Sequence, residues 1–83
     1  MIKAYILLTL TMGQTQSVID ALKKLKNIES ISVVTGSFDV VLKVSVETLD
    51  ELYKVTYIDL SDTKGIKEIT TFIVEKEIIP EED

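Results

Sequence analysis

Cysteine, histidine and tryptophan are missing from the 83 residues, and all nine basic residues are lysine, so arginine is missing too. Without cysteine there is no disulfide, thiolate nucleophile or thiolate metal site. Without histidine there is no imidazole ligand and no side chain that ordinarily titrates near neutral pH. Without arginine there is no planar fork to clamp a carboxylate or phosphate bidentately. Fourteen acids against nine lysines leave a net charge of −5, which opposes binding to a phosphate backbone. These absences argue against an enzyme, a zinc protein and a DNA reader, and they call for no cofactor and no metal. Long apolar runs are missing as well. The opening Met1–Leu10 is broken by Lys3 and Tyr5, is too short to span a bilayer and lacks the layout of a signal peptide. No membrane role is expected, and the cytoplasm is the default location.

What is present is ordinary for a folded domain: 46% hydrophobic and 28% charged residues. A chain of this size buries roughly 60–65% of its unfolded surface, which leaves its stability marginal. With disulfides and Cys- or His-based metal sites excluded, oligomerisation is the expected supplement.

The pattern of apolar residues changes period along the chain. Ala4, Ile6, Leu8 and Leu10 alternate with Lys3, Tyr5, Leu7 and Thr9, the period of a strand. After Thr11–Gln14, residues Val18, Ile19, Leu22 and Leu25 take helical spacing, with Thr15 as the expected N-cap and Lys23, Lys24 and Lys26 toward the C-terminal end. A second strand is read over Ile28–Thr35 and a third over Phe38–Val46, joined by a hairpin at Gly36-Ser37. Thr48-Leu49-Asp50-Glu51 has the form of a capping box opening a second helix, with Leu49, Leu52, Tyr53, Thr56 and Leu60 on one side. A fourth strand is read from about Ile66 to Ile78. Residues 1–79 make one domain, and residues 80–83, Pro80 with three acids, read as a solvated tail.

The order β-α-β-β-α-β predicts an α+β ferredoxin-like sandwich, a four-stranded antiparallel sheet with both helices on one face. The uncovered face of a monomer would be polar. Here both faces are substantially apolar, and the second offers Tyr5, Leu7, Val41 and a fourth-strand residue such as Ile73. Contiguous apolar surface of that kind marks an interface, so a dimer is expected with the open sheets face to face, a dimeric α+β barrel.

The stretch Val33-Val34-Thr35-Gly36-Ser37-Phe38-Asp39-Val40-Val41-Leu42-Lys43-Val44 resembles a signature of the Lrp/AsnC transcriptional regulators. It belongs to their RAM domain, the domain for regulation of amino-acid metabolism. Tyr5–Leu8, Gly65-Ile66 and Thr71–Val74 fit the same family, and the likeness spans nearly the whole chain. No helix-turn-helix precedes it in this sequence. The resemblance implies a homodimer, often joined into tetramers or octamers, with an amino-acid effector in a cleft between neighbouring dimers. Carried over position by position, the effector contacts are Gly36, Ser37, Phe38, Asp39 and Thr71. The implied partners are further copies and full-length regulators of the same family, not nucleic acid directly. One departure stands out. The family often has a hydroxyl two residues before the matched threonine, where this chain has Ile69, and Thr70 is one position off. A one-residue shift turns a side chain to the other face of a strand, which points to a more apolar effector or a weakened site.

The residues also have a reading of their own. An α-amino acid needs both its ammonium and its carboxylate satisfied on leaving water. Asp39 can accept from the ammonium, and successive amides around Gly36-Ser37 can cradle the carboxylate. The plainer reading is that Gly36 permits a tight turn and Asp39 caps it. Phe38, Tyr5 and Phe72 could stack RNA bases, but the acidic balance favours packing. Gly13-Gln14 could host a ligand, as the equivalent turn does in the amino-acid-binding ACT domain, although a lone glycine more simply marks a turn. Glu75, Glu77 and the final acids read as solvated rather than cation-binding, and Lys23, Lys24 and Lys26 as a solvated helix face rather than a membrane contact. Enzymes with the dimeric barrel architecture use a tuned acid–base group in their cavity; here Tyr5, Tyr53, Tyr57 and Asp39 are the candidates, with no paired base. Two non-enzymatic readings stay open: an effector sensor, and a purely structural oligomerisation module with a vestigial pocket.

Overall fold

The computed structural model describes residues 1–81. It contains β1 (Ile2–Leu10), α1 (Thr15–Leu22), β2 (Ile28–Val33), β3 (Val40–Val46), α2 (Leu49–Tyr53), a π-helical segment (Lys54–Leu60) and β4 (Ile66–Ile73). The strands form one sheet in the order β2-β3-β1-β4 with every pair antiparallel. This is the expected ferredoxin-like α+β architecture.

Alternation places the core. The even-numbered residues of the central strands, Ala4 to Leu10 on β1 and Val40 to Val46 on β3, are buried. They pack with Val18 and Leu22 of α1, Leu52 of α2, and Val55 and Leu60 of the π-helical segment. Both helical elements therefore cover one face. Gly65, at φ 103°, sits where a Cβ would lie 2.8 Å from Val18 Cγ2 and 3.0 Å from Gln14 Cβ. Its carbonyl accepts from Thr11 N–H at 2.8 Å. The start of β4 is thus pressed against α1 at a point only glycine fits.

Four local expectations change. The helix begins at Thr15 itself, with Gln14 in the cap position and no side-chain cap bond; Ser17 Oγ donates to Gln14 O instead, at 3.0 Å. The β2–β3 connection is longer than a two-residue turn. It runs from Val34 to Asp39, closed by Val34 N–H donating to Asp39 O at 2.9 Å, so Phe38 lies in the loop rather than on β3. The second helix opens with the expected Thr48 cap, which accepts from Glu51 N–H at 3.1 Å, while Glu51 reaches Glu47 N–H rather than that of Thr48. It then widens into π geometry, where Thr56 Oγ1 donates back to the carbonyls of Leu52 and Tyr53 at 3.1 and 3.2 Å; a side chain inserted into the ladder is a known cause of such local distortion. Finally, β4 ends at Ile73 rather than Ile78. Ile73 pairs with Ala4 and one further bond, from Val74 N–H to Lys3 O, closes the ladder, although β1 itself continues to Ile2 on its β3 side. Of the expected tail, Glu82 and Asp83 lie outside the described residues.

Candidate functional site

The register of β4 on β1 sorts the candidate residues by face. Thr71 stands opposite Ile6 and Ile69 opposite Leu8, on the helix-covered side but at an edge strand that the helices only partly overlie. A groove of about 460 Å³ opens there between β4 and the second helical element, within the range of small-molecule sites. Its walls include Leu49, Tyr53 and Tyr57 on one side and Ile69, Thr71 and Ile73 on the other. The rings of Tyr53 and Tyr57 stack with centroids 4.9 Å apart and planes at 29°. The groove holds hydroxyls but no charged side chain. This aromatic wall was not among the expected contacts. Its signal in the sequence is an i, i+4 tyrosine pair on a helix whose apolar side already includes Leu49 and Tyr53.

Ile73 was expected with Tyr5, Leu7 and Val41 on the open face. The pairing with buried Ala4 places it on the opposite side, in the groove, and Phe72, opposite Tyr5, takes its place on the open face. Thr70 stands opposite Leu7 on the open face, so it does not supply the hydroxyl that Ile69 lacks.

The loop residues lie elsewhere in the same chain. Val40 stands opposite Leu8, which sets Asp39 level with Thr9. Thr71 is thus three residues away along the strands and two strands across, roughly 10 Å in each direction at ordinary strand spacings. Asp39 is tied to β1 twice. Its amide donates to Leu8 O at 2.8 Å, and its Oδ2 accepts from Leu10 N–H at 2.8 Å. The carboxylate therefore satisfies an amide of β1 where the β3 ladder has ended. Gly36 has φ 125°, and a Cβ there would meet nothing within 4 Å, so conformation rather than crowding calls for glycine. Gly36, Ser37 and Asp39 are exposed and Phe38 is half-buried.

The open face is part apolar and part charged. Tyr5 is 36% and Phe72 55% exposed, next to half-buried Leu7 and Val41. Toward the other end, Ser45 Oγ donates to Glu29 Oε1 at 2.6 Å and Lys43 Nζ lies 3.9 Å from Glu29. The Ser45 hydroxyl, helped by Lys3 and Lys43 and opposed by some desolvation, holds the Glu29 carboxyl below its ordinary value. Among the described residues no helix is long and apolar enough to cross a membrane.

The family model of the Lrp/AsnC ligand binding domain matches residues 3–83. The chain is similar to the crystal structure of FFRP-DM1, at TM-score 0.84 and 26% identity over 89% of this chain and 99% of that one. It is similar in fold to AsnC of E. coli, at TM-score 0.90 and 20% identity over 99% of this chain and 56% of that one. A transcriptional regulator of Neisseria meningitidis, solved as a complex with L-Met, matches at TM-score 0.80 and 18% identity over 95% of this chain and 53% of that one. The chain thus spans about half the length of these two regulators. No curated protein matches it.

Proposed function

Because the chain belongs to the Lrp/AsnC ligand-binding domain family, we propose that it is a non-catalytic module that binds an amino-acid effector at a site shared between chains. The observation that carries this reading is the division of the site residues. The groove beside Thr71 has apolar walls and hydroxyls but no charge, whereas an α-amino acid must satisfy an ammonium and a carboxylate. The charged and amide-rich candidates, Asp39 and the Gly36-Ser37 turn, are held two strands away. In this reading the loop of another chain brings them to the groove. In this reading chains pair through the open sheet face of Tyr5, Leu7, Val41 and Phe72, and dimers associate so that one loop closes a neighbour's groove. The L-Met complex of the Neisseria regulator, similar in fold, supports an amino-acid ligand. Ile69 in the groove, and Thr70 outside it, favour an effector with an apolar side chain. In this reading the chain associates with full-length regulators in the cytoplasm, and membership of their ligand-binding domain family supports that association.

The hydrogen bond from Leu10 N–H to Asp39 favours a second reading, in which that carboxylate only closes the sheet and the module is structural. Thermal unfolding against each of the twenty amino acids at millimolar concentration separates the two. A ligand at 100 times its Kd stabilises by about 2.7 kcal/mol, and each kcal/mol moves the midpoint of so small a domain by roughly 4–8 °C. A selective rise is expected with an apolar amino acid. Asp39→Asn keeps an acceptor for Leu10 but loses the partner of the ammonium, so it is expected to remove the ligand-induced rise while leaving the unliganded midpoint nearly unchanged. Thr71→Val is expected to weaken the rise as well. No rise with any amino acid overturns the effector reading.

A further inference from the structure

Tyr53 and Tyr57 line the groove beside Thr71, yet their own chain leaves them 59% and 68% exposed. Their stacked rings span the junction at which α2 passes into the π-helical segment. π-Helical turns are uncommon and concentrate at functional sites. Across the groove, β4 contributes Ile69, Thr71 and Ile73, alternate residues on one face of the strand and about 6–7 Å apart along it. The groove is thus a slot with an aromatic wall and a strand wall.

Few polar groups are free in that slot. The Thr56 hydroxyl donates to the carbonyls of Leu52 and Tyr53, and Ser61 Oγ donates to Thr56 O at 3.1 Å. Of the groove's hydroxyls, that leaves Thr71 and the two phenols to meet a ligand, and no charged side chain lines the slot.

We propose that the slot takes an aromatic side chain, so that the effector is an amino acid of the phenylalanine, tyrosine or tryptophan class. The inference rests on the effector reading above and names the side chain within it. A phenol ring has a negative face and a positive edge, so an aromatic guest set offset or edge-on gains attraction beyond the area it buries. An aliphatic guest has no such quadrupole to match. A carboxylate or ammonium side chain would leave water without a counter-ion among the lining residues, and attraction of a cation to the ring faces does not replace one. The Thr71 hydroxyl can accept from an indole N–H or a phenol O–H, which meets the polar edge of such a guest.

Phenylalanine and 3-cyclohexylalanine test the assignment. They have nearly the same outline and the same ammonium and carboxylate, but only the first has a π face. In calorimetric titrations of the full chain, phenylalanine is expected to bind roughly threefold to tenfold more tightly, although cyclohexylalanine is the more apolar. Leucine, methionine and lysine are expected to bind more weakly than phenylalanine. Tyr53→Leu combined with Tyr57→Leu alters two exposed side chains, so the fold is expected to persist while the preference for phenylalanine over cyclohexylalanine disappears. Cyclohexylalanine, leucine, methionine or lysine binding the parent chain as tightly as phenylalanine overturns the aromatic class and leaves the effector reading standing. A preference that survives the double substitution overturns it too. The comparison in the parent chain needs no substitution, so it decides the matter even where the variant fails to fold. Binding of none of the twenty amino acids overturns the effector reading itself, and the aromatic class falls with it.

Discussion

The two faces of the sheet draw on the same strands and the same kinds of residue, yet they end in different states. On the helix-covered face every even-numbered residue of β1 from Ala4 to Leu10, and of β3 from Val40 to Val46, is buried. On the open face, Tyr5 and Phe72 remain exposed beside half-buried Leu7 and Val41, and the charged set Lys3, Lys43 and Glu29 occupies the far end. The covered face is complete within one chain. The open face is left part apolar and part charged, and it is the surface through which we propose that chains pair. Side-chain chemistry alone does not separate the two faces; what separates them is whether the chain has helices left to cover the surface.

The largest test of that contrast is a cavity on the covered face. Leu42 is fully buried, and Leu42→Ala is expected to cost about 2–5 kcal/mol. Calorimetry should then show the midpoint falling by at least about 10 °C. Gly65→Ala comes next. It combines a positive φ with a Cβ only 2.8 Å from Val18, and a loss of about 1–3 kcal/mol is expected. Gly36→Ala, with a similar φ problem but open space around it, is expected to cost less in the same denaturant titration. A crowding penalty no larger at Gly65 than at Gly36 would show that α1 yields to the intrusion.

On the open face, Leu7→Asp is expected to change the stability of the isolated chain by about 0.5 kcal/mol or less. Its effect should appear in molar mass, as monomer where the parent chain is dimer. A parent chain that is already monomeric at micromolar concentration removes the contrast altogether. The smallest effect belongs to Glu29→Gln. The folded state holds the Glu29 carboxyl below its ordinary value of 4.5, so its contribution is present above that value and is lost as pH falls through the lowered one. The variant should therefore show a slightly flatter fall in stability below about pH 4.5, measured by urea unfolding across the acid range.

How much of this was legible in the sequence depended on what sets each feature. The strand character of β1 and β3 was open to reading because a period of two needs only neighbouring residues. So was the Thr48 cap, a contact three residues long. The end of β4 was not. Ile78 and Ile79 resume the apolar pattern beyond Glu75-Lys76-Glu77, but the ladder stops at Ala4, and that is a property of the pairing between the two strands. The face of Ile73 was hidden for a related reason. Ile69 and Ile73 on one side of β4, and Phe72 and Val74 on the other, are both apolar, so only the register on β1 could decide. The π-helical widening was hidden because it reflects competition between the Thr56 hydroxyl and the backbone ladder, which leaves the apolar spacing nearly unchanged.

The candidate site divides in the same way. Thr71 and the Gly36–Asp39 loop were visible as a motif, but their separation by two strands was not, and neither was the Tyr53–Tyr57 wall that faces Thr71. By itself the sequence determined the element order, the two apolar faces and the absence of histidine, cysteine and arginine, because these follow from residue type and local period. The tertiary structure alone decided which face the helices cover, where each strand ends and which side chains share a groove. Those outcomes depend on pairing between segments far apart in the chain, and in a sheet a shift of one residue exchanges the two faces.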